Sequence, residues 1–179
     1  MGDLWVFGYG SLLWNPGFPV AERRVARLHD WHRSFCMSSI HHRGTPEAPG
    51  LVLALDAKPG AVCHGLAFRV APEHAEATVL YLRERELISS AYLETRQEIA
   101  FADGGGQGDV LTYVIDPDHE QYRGDLSLED QARIIADAVG GRGPNDEYLE
   151  NTALHLHELG LPDPDLDWLL DRVRQLKGR

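Results

Sequence analysis

The order of strand and helix signals along the chain is the feature that most restricts its fold. Short apolar segments of strand length come first, with one helical segment among them that starts at Pro72. Helical signals fill the second half, where Ser127 and Asn145 stand at N-cap positions and Gly160 follows the second helix. Strands followed by helices predict an α+β fold with an antiparallel or barrel-like sheet.

Turn signals separate the predicted elements. Pro59 and Gly60 suggest a turn between two apolar strands, and the polar segment 41–50 contains too many prolines and glycines for regular structure. The predicted strands cover residues 4–7, 25–39 (one strand or two), 51–55, 62–70, 92–101 and 110–115, and the helices cover 72–87, 127–140, 145–160 and 166–176.

Composition and charge indicate a soluble globular protein of one domain, residues 1–179. The apolar fraction is 43% and the charged fraction 25%, which are ordinary values for such a protein. The formal net charge of −11 disfavours sequence-independent binding to nucleic acid or to an anionic membrane surface. We therefore expect neither a nucleic-acid partner nor a membrane partner.

The cysteines and the N-terminus suggest the cytoplasm. Cys36 and Cys63 are too few for a disulfide framework, and their apolar surroundings predict buried, reduced thiols. The first residues lack the basic segment and the apolar run of a signal peptide, and no segment is long and apolar enough to span a membrane. We expect a cytoplasmic protein; the sequence does not predict its oligomeric state.

An apolar strand near the N-terminus ends abruptly in a loop that contains two glycines. A strand that breaks into glycines leaves backbone N–H groups without ladder partners, and these groups can converge on an anion. The sequence therefore predicts a carboxylate-binding loop at the mouth of a small-molecule pocket, the alternative being a turn whose glycines serve only backbone shape. We call this segment the glycine loop; its residues are Gly8, Tyr9, Gly10, Ser11, Leu12 and Leu13.

The glycine loop does not match the common glycine motifs. A dinucleotide fingerprint would need glycine at Leu13, and a phosphate loop would need a lysine nearby. A nucleophile elbow would need glycines at Tyr9 and Leu13, so Ser11 is not a typical hydrolase serine. These mismatches disfavour nucleotide binding and serine hydrolase chemistry.

Glu86 is an acidic residue at a position where the helical pattern predicts an apolar one. At about 100° per residue, Val79, Leu82 and Glu86 fall within roughly 40° of Ala75 on the helical wheel. Glu84 lies at roughly 180°, on the opposite side of the helix. The spacing thus predicts that Glu86 faces inward and that Glu84 faces solvent.

An inward-facing carboxylate loses hydration, so its pKa rises towards neutrality unless a cation compensates. Glu86 is then a candidate general acid/base. Two alternatives remain: the helix ends before Glu86, or Arg85 or another arginine neutralises it.

Other titratable and aromatic residues give weaker signals. The histidines, including His41, His42 and His64, lack a spacing that fits a zinc site, so we predict no metal site. Tyr148 lies on an amphipathic helix, where it is either packed in the core or directs its hydroxyl into a cleft.

With these residues identified, the chain resembles the ChaC family of γ-glutamylcyclotransferases, which includes glutathione-specific enzymes. The resemblance spans most of the chain in several blocks that occur in the right order. They are residues 6–14, 42–47, 49–52, 65–68, Arg85-Glu86 with Tyr92, 143–145 with Tyr148-Leu149, Asn151-Thr152 and 159–161.

The resemblance implies a small mixed or antiparallel β-barrel with flanking helices and a cofactor-independent carbon–nitrogen lyase. The glycine loop would hold the γ-glutamyl group, and Glu86 would act as the acid/base that yields 5-oxoproline and Cys-Gly from glutathione. Arg43 is a candidate contact for the distal carboxylate of the substrate, and Tyr148 a candidate residue of the pocket wall. Residues 87–92 depart from members that have glycines before the tyrosine.

Two alternatives to the glutathione-specific enzyme stay open at this point. The substrate is another γ-glutamyl amine or dipeptide in the first. In the second, the chain binds a γ-glutamyl ligand without turnover and regulates cation transport. A binding protein has no need of a desolvated Glu86, whereas the catalyst depends on it.

Overall fold

Five strands of this computed structural model, which describes residues 3–87, 90–161 and 163–178, close into a barrel. The strands are β1 (Leu4–Gly8), β2 (Glu22–Ser39), β3 (Gly50–Val70), β4 (Tyr92–Phe101) and β5 (Gln107–Ile115), and their order is β1–β3–β2–β4–β5. The helices are α1 (Pro72–Glu86), α2 (Leu128–Asp137), α3 (Asn145–Leu159) and α4 (Pro164–Leu176). The predicted α+β barrel with flanking helices is confirmed.

Strand pairing in the barrel is mostly antiparallel. β1 pairs antiparallel with β3, with Val6 opposite Phe68, and it pairs in parallel with β5 at Leu111. β4 and β5 form an antiparallel hairpin with Tyr92 opposite Ile115. Val6 and Phe68 are fully buried, because both faces of β1 are covered where it crosses the barrel.

Contacts divide the chain into two compact units, each assembled from separate segments. The first unit comprises Met1–Arg33 and Leu55–His119, and the second comprises Ser34–Ala54 and Glu120–Arg179. The first unit therefore contains β1, α1, β4 and β5, whereas the second contains α2, α3 and α4. That residues 1–179 form a single domain remains a prediction.

Helix α1 begins and ends close to where the sequence predicts. Pro72 occupies its first turn, where a missing N–H costs nothing. Its inner face buries Thr78 and Leu82, and its last residue is Glu86. The segment that follows includes residues 88 and 89, so part of the departure from the family pattern lies outside the described residues.

The predicted turn at Pro59-Gly60 is wrong, because β3 runs as one strand from Gly50 to Val70. Gly60 has φ +84° within it, and Asp30 on the neighbouring β2 has φ 71°. The Asp30 carboxylate accepts a hydrogen bond of 2.9 Å from the Gly60 backbone N–H. Paired irregularities of this kind twist a strand without reversing it.

Two of the predicted helix ends in the second unit also need correction. α2 ends at Asp137, because Val139 and Gly140 pair instead with residues 143–144 in a short sheet. Asn145 is not an N-cap, since Pro144 takes that position. The caps of the other two helices are side chains: Ser127 accepts from Asp130 N–H, as predicted, and Asp163 accepts from Leu166 N–H.

The amide of Asn145 instead holds β3. Its Oδ1 accepts from Leu51 N–H and its Nδ2 donates to Leu51 O, both at 2.8 Å, in a fully buried position. An unpaired buried amide would cost free energy, so these two hydrogen bonds explain why an asparagine occupies that position.

The cysteines match the expectation from composition. Cys36 in the second unit and Cys63 in the first unit are buried thiols rather than a disulfide. Among the helices that the structure describes, none is long and apolar enough to cross a membrane.

Candidate functional site

The glycine loop joins β1 to a single turn of 3-10 helix. The helix spans Ser11–Leu13, and Gly10 precedes it as the N-cap residue. Leu13 N–H donates to Gly10 O at 2.9 Å, so the turn closes on the glycine itself. Leu12 and Leu13 are buried and anchor the turn in the first unit.

The two glycines of the loop face different surroundings. A Cβ atom added to Gly8 would lie 2.9 Å from the Phe68 ring, which is too close for packed carbon atoms, and 3.1 Å from Leu12 Cβ, which is a tight contact. A Cβ atom added to Gly10 would meet nothing within 4 Å. Gly8 is therefore required by packing, whereas Gly10 borders open space that a ligand is able to enter.

A buried arginine forms a hydrogen bond to the backbone of the glycine loop. Arg33 is only 4% exposed, and its guanidinium donates to the backbone carbonyls of Tyr9 and His64. This residue was not among the candidates predicted from the sequence. A signal was present, because Arg33 lies at two-residue spacing from Trp31 and Phe35, on the face that a strand buries.

Glu86 is largely buried at the C-terminal end of α1. Its side chain is 17% exposed, whereas Glu84 is exposed, as the helical spacing predicts. Burial is the larger influence and raises the pKa of Glu86, while the positive charge of Arg85 lowers it. The helix does not end before Glu86, and Arg85 does not cancel the effect of burial.

Arg85 lies between Glu86 and the glycine loop. Its Nη2 donates to Ser11 Oγ at 2.8 Å, and its Nη1 donates to the carbonyls of Asn15 and Pro16 at 2.8 and 3.2 Å. Its Nε lies 3.7 Å from Glu86 Oε1. One side chain therefore connects the predicted base to the predicted substrate loop, a role that the sequence alone did not reveal.

Tyr113 on β5 also lies within the electrostatic reach of Glu86. Its hydroxyl donates to Glu94 Oε1 at 2.8 Å, and burial raises its pKa, with smaller contributions from Glu94 and Glu86. Glu94 in turn binds Arg83 through two hydrogen bonds of 3.0 Å, which keep the pKa of Glu94 low. Glu86 thus interacts with a buried phenol as well as with Arg85.

Arg43 and Tyr148 belong to the second unit, where they contact each other. The guanidinium of Arg43 lies 5.6 Å from the centroid of the Tyr148 ring, and its Nη1 donates to Pro144 O at 3.1 Å. The hydroxyl of Tyr148 accepts from Leu53 N–H at 3.3 Å. These contacts give both residues a structural role; their part in substrate binding stays a prediction.

Within the described part of the chain, no group of three or more His, Cys, Asp or Glu side chains is arranged to hold a metal ion. His155 and His157 point to separate acidic partners, Glu158 and Asp167. Neither histidine lies near Glu86 in the sequence, and we assign no metal role to either.

Comparisons with known proteins point in one direction. Residues 4–176 match the family described as ChaC-like protein. A glutathione-specific gamma-glutamylcyclotransferase of Escherichia coli K12 is 37% identical over 175 residues, covering 98% of this chain and 74% of that protein. One from Danio rerio is 37% identical over 165 residues, covering 91% and 83%. The crystal structure of a yeast gamma-glutamyl cyclotransferase specific to glutathione superposes with a TM-score of 0.85 at 25% identity, covering 98% and 99%.

Proposed function

The chain belongs to the ChaC-like family, and from this premise we propose that it is a glutathione-specific γ-glutamylcyclotransferase. It converts glutathione into 5-oxoproline and Cys-Gly by intramolecular aminolysis. The names of its relatives support the reaction and the substrate. The observation that carries the proposal for this chain is Glu86: a carboxylate with a raised pKa, joined through Arg85 to the glycine loop.

The reaction needs one substrate and no added reactant. The α-amine of the γ-glutamyl group attacks the side-chain carbonyl carbon, a new C–N bond closes a five-membered ring, and the old amide bond breaks. Starting from the protonated α-amine, two protons move from the attacking nitrogen to the departing nitrogen, which leaves as the ammonium group of Cys-Gly. The enzyme therefore has to hold the substrate in its folded conformer and transfer those protons.

Glu86 is the group suited to the proton transfer. At neutral pH the α-amine is mostly protonated and unreactive, so a base must accept its proton first. A carboxylate with an ordinary pKa is a weak base, and burial makes Glu86 a stronger one. The protonated Glu86 then donates to the departing nitrogen, and Glu86 relays the second proton of the attacking nitrogen in the same way as the ring closes.

The glycine loop is the part suited to the γ-glutamyl end of the substrate. We assign to the backbone N–H groups of Gly10, Ser11 and Leu12 the binding of the substrate α-carboxylate. The open space beside Gly10 supports this assignment, because a ligand has room to approach the backbone there. Arg43 remains a candidate contact for the distal carboxylate, and Tyr148 remains a candidate residue of the pocket wall.

The test compares the parent protein with Glu86→Gln. Purified protein is incubated with glutathione, and 5-oxoproline and Cys-Gly are measured by mass spectrometry. We expect stoichiometric products from the parent and a loss of about a hundredfold to ten-thousandfold in the variant, the usual contribution of a general acid/base. Binding of glutathione, measured by calorimetry, should be largely retained.

Glu84→Gln is the matched control, because it removes an exposed carboxylate two residues earlier on the same helix. It should keep the parent rate. Equal rates for the parent and Glu86→Gln would remove Glu86 from the mechanism. Turnover of a γ-glutamyl amine or dipeptide but not of glutathione would reassign the substrate. Binding without any turnover would favour a ligand-binding regulator.

A further inference from the structure

We infer that Arg85 is the positioning residue of the proposed reaction, which couples the glycine loop to the basicity of Glu86. The inference rests on the proposed function for its kinetic consequences, but the coupling itself is a property of the structure. Arg85 touches both parts of the site at once, and no substrate atom is needed to connect them.

The guanidinium is held in place by the loop side of the site. Nη2 donates a hydrogen bond to Ser11 Oγ, and Nη1 donates to two backbone carbonyls and to the Tyr81 hydroxyl, the last at 3.1 Å. The carbonyls belong to Asn15 and Pro16, which follow directly after the 3-10 turn. These partners lie around a planar fork with fixed donor directions, which a lysine ammonium does not reproduce.

The same contacts keep Arg85 at a distance from Glu86. The Nε–Oε1 separation of 3.7 Å exceeds the range of a hydrogen bond. Arg85 therefore acts on Glu86 through its charge alone, which lowers the pKa of Glu86 less than burial raises it. A guanidinium bonded directly to the carboxylate would stabilise the ionised form and weaken the base.

The remaining charged and titratable groups around Glu86 do not duplicate this role. Tyr113 from β5 interacts with Glu86 electrostatically, and its hydroxyl proton is directed to Glu94. Glu94 is paired with Arg83. Arg85 is thus the cation that faces Glu86 among the groups that act on it.

Arg85→Met and Arg85→Lys separate the two functions of the side chain. Two quantities are measured against pH: kcat/KM for glutathione, and the side-chain carboxyl shift of Glu86 by carbon NMR, identified by its absence in Glu86→Gln. Arg85→Met should move the midpoint of the acidic limb and of the NMR titration to higher pH, because it removes the positive charge. Arg85→Lys should keep the midpoint close to that of the parent.

The effect of losing the hydrogen bonds between Arg85 and the glycine-loop side of the site is measured separately, as a change in KM. We expect both variants to raise KM for glutathione about tenfold or more, since several charge-assisted hydrogen bonds that shape the loop are lost. Arg69→Met is the control. It removes a half-exposed arginine of the first unit that pairs with Asp3 and Glu22, and it should change neither the midpoint nor KM.

An unchanged midpoint in Arg85→Met, or a parent-like KM in Arg85→Lys, would overturn the inference. If Arg85→Met does not fold, the KM of Arg85→Lys still decides. Absence of turnover in the parent would instead refute the proposed function. In that case the NMR titrations of the two variants still test the coupling. An unchanged midpoint in Arg85→Met, or a shifted midpoint in Arg85→Lys, would contradict it.

Discussion

At the scale of single residues, the proposed site contains a carboxylate at a position where an apolar side chain would cost less free energy. Glu86 ends α1 on the face that also buries Thr78 and Leu82. Burial of an ionised carboxylate costs free energy, and the nearby Arg85 offsets only part of it. The burial on which the proposed proton transfer by Glu86 depends therefore also lowers the stability of the fold.

The stability of Glu86→Gln should show this cost as a dependence on pH. Because the folded-state pKa is raised, the folded protein binds a proton at Glu86 more tightly than the unfolded chain does. The contribution of Glu86 to the free energy of unfolding of the parent therefore falls as pH rises from about the ordinary pKa of 4.5 through the folded pKa. Glutamine does not ionise, so its advantage over the parent should be larger at pH 7 than at pH 4.

Urea unfolding at the two pH values measures the difference. Glu84→Gln serves again as the control, since it removes an exposed carboxylate from the same helix. A difference between parent and Glu86→Gln that is independent of pH would contradict the account of Glu86 as a desolvated acid.

The sequence predicted the burial of Glu86 but not the long-range contacts of Arg33, Asn145 and Arg85, and the reason is physical. The burial of Glu86 follows from helical periodicity within a single element, which a sequence displays directly. Arg33 and Asn145 bond to residues 24 and 94 positions away, so their roles depend on how strands assemble. Arg85 reaches Ser11 across 74 positions, and only the fold brings them together.

At the scale of elements, the two glycines of the glycine loop differ in what surrounds them: Gly8 is tightly packed and Gly10 is not. Gly8 must be small because Phe68 and Leu12 press against it, and Gly10 faces open space. The strand–glycine–turn pattern in the sequence predicted the loop, but not which glycine serves packing. That distinction depends on β3, which supplies Phe68.

Substitution of each glycine by valine should separate folding from binding. Gly8→Val should lower the free energy of unfolding by about 1–3 kcal/mol, the usual cost of overpacking, because its Cβ would overlap Phe68. Gly10→Val should leave the melting temperature close to that of the parent but weaken glutathione binding, since the side chain would occupy the space assigned to the substrate. Thermal unfolding and calorimetric binding test the pair.

The outcome is informative in both directions. If Gly10→Val destabilises the protein as much as Gly8→Val does, the glycines serve backbone shape, and the loop is an ordinary turn. Unimpaired glutathione binding by Gly10→Val would remove the substrate from that side of the loop.

The remaining elements followed the sequence wherever local signals decide. Pro72 and Ser127 mark helix starts, and β4 matches the predicted strand in full. The single strand β3 was missed because the irregularity at Gly60 is accommodated by Asp30 on another strand. Local turn residues do not report such a partner.

At the scale of the whole molecule, charge and family give consistent expectations. A net charge of −11 disfavours polyanion partners, which accords with an enzyme whose substrate is a small peptide held by a few specific groups. The α+β class was predictable from the order of strand and helix signals, and the barrel from the family resemblance. The division into two units was not, because each unit is assembled from segments far apart in the sequence.

The two buried cysteines allow the opening of each unit to be measured separately, through the rate at which a reagent modifies the thiol. Cys63 is 2% exposed in the first unit and Cys36 is 1% exposed in the second, so a thiol reagent reaches either one only when its surroundings open. In each of the single variants Cys36→Ala and Cys63→Ala, one thiol remains. Its modification should be slow in buffer and should become faster as urea is added. Immediate modification of either thiol in the native protein would show that its surroundings are not closed.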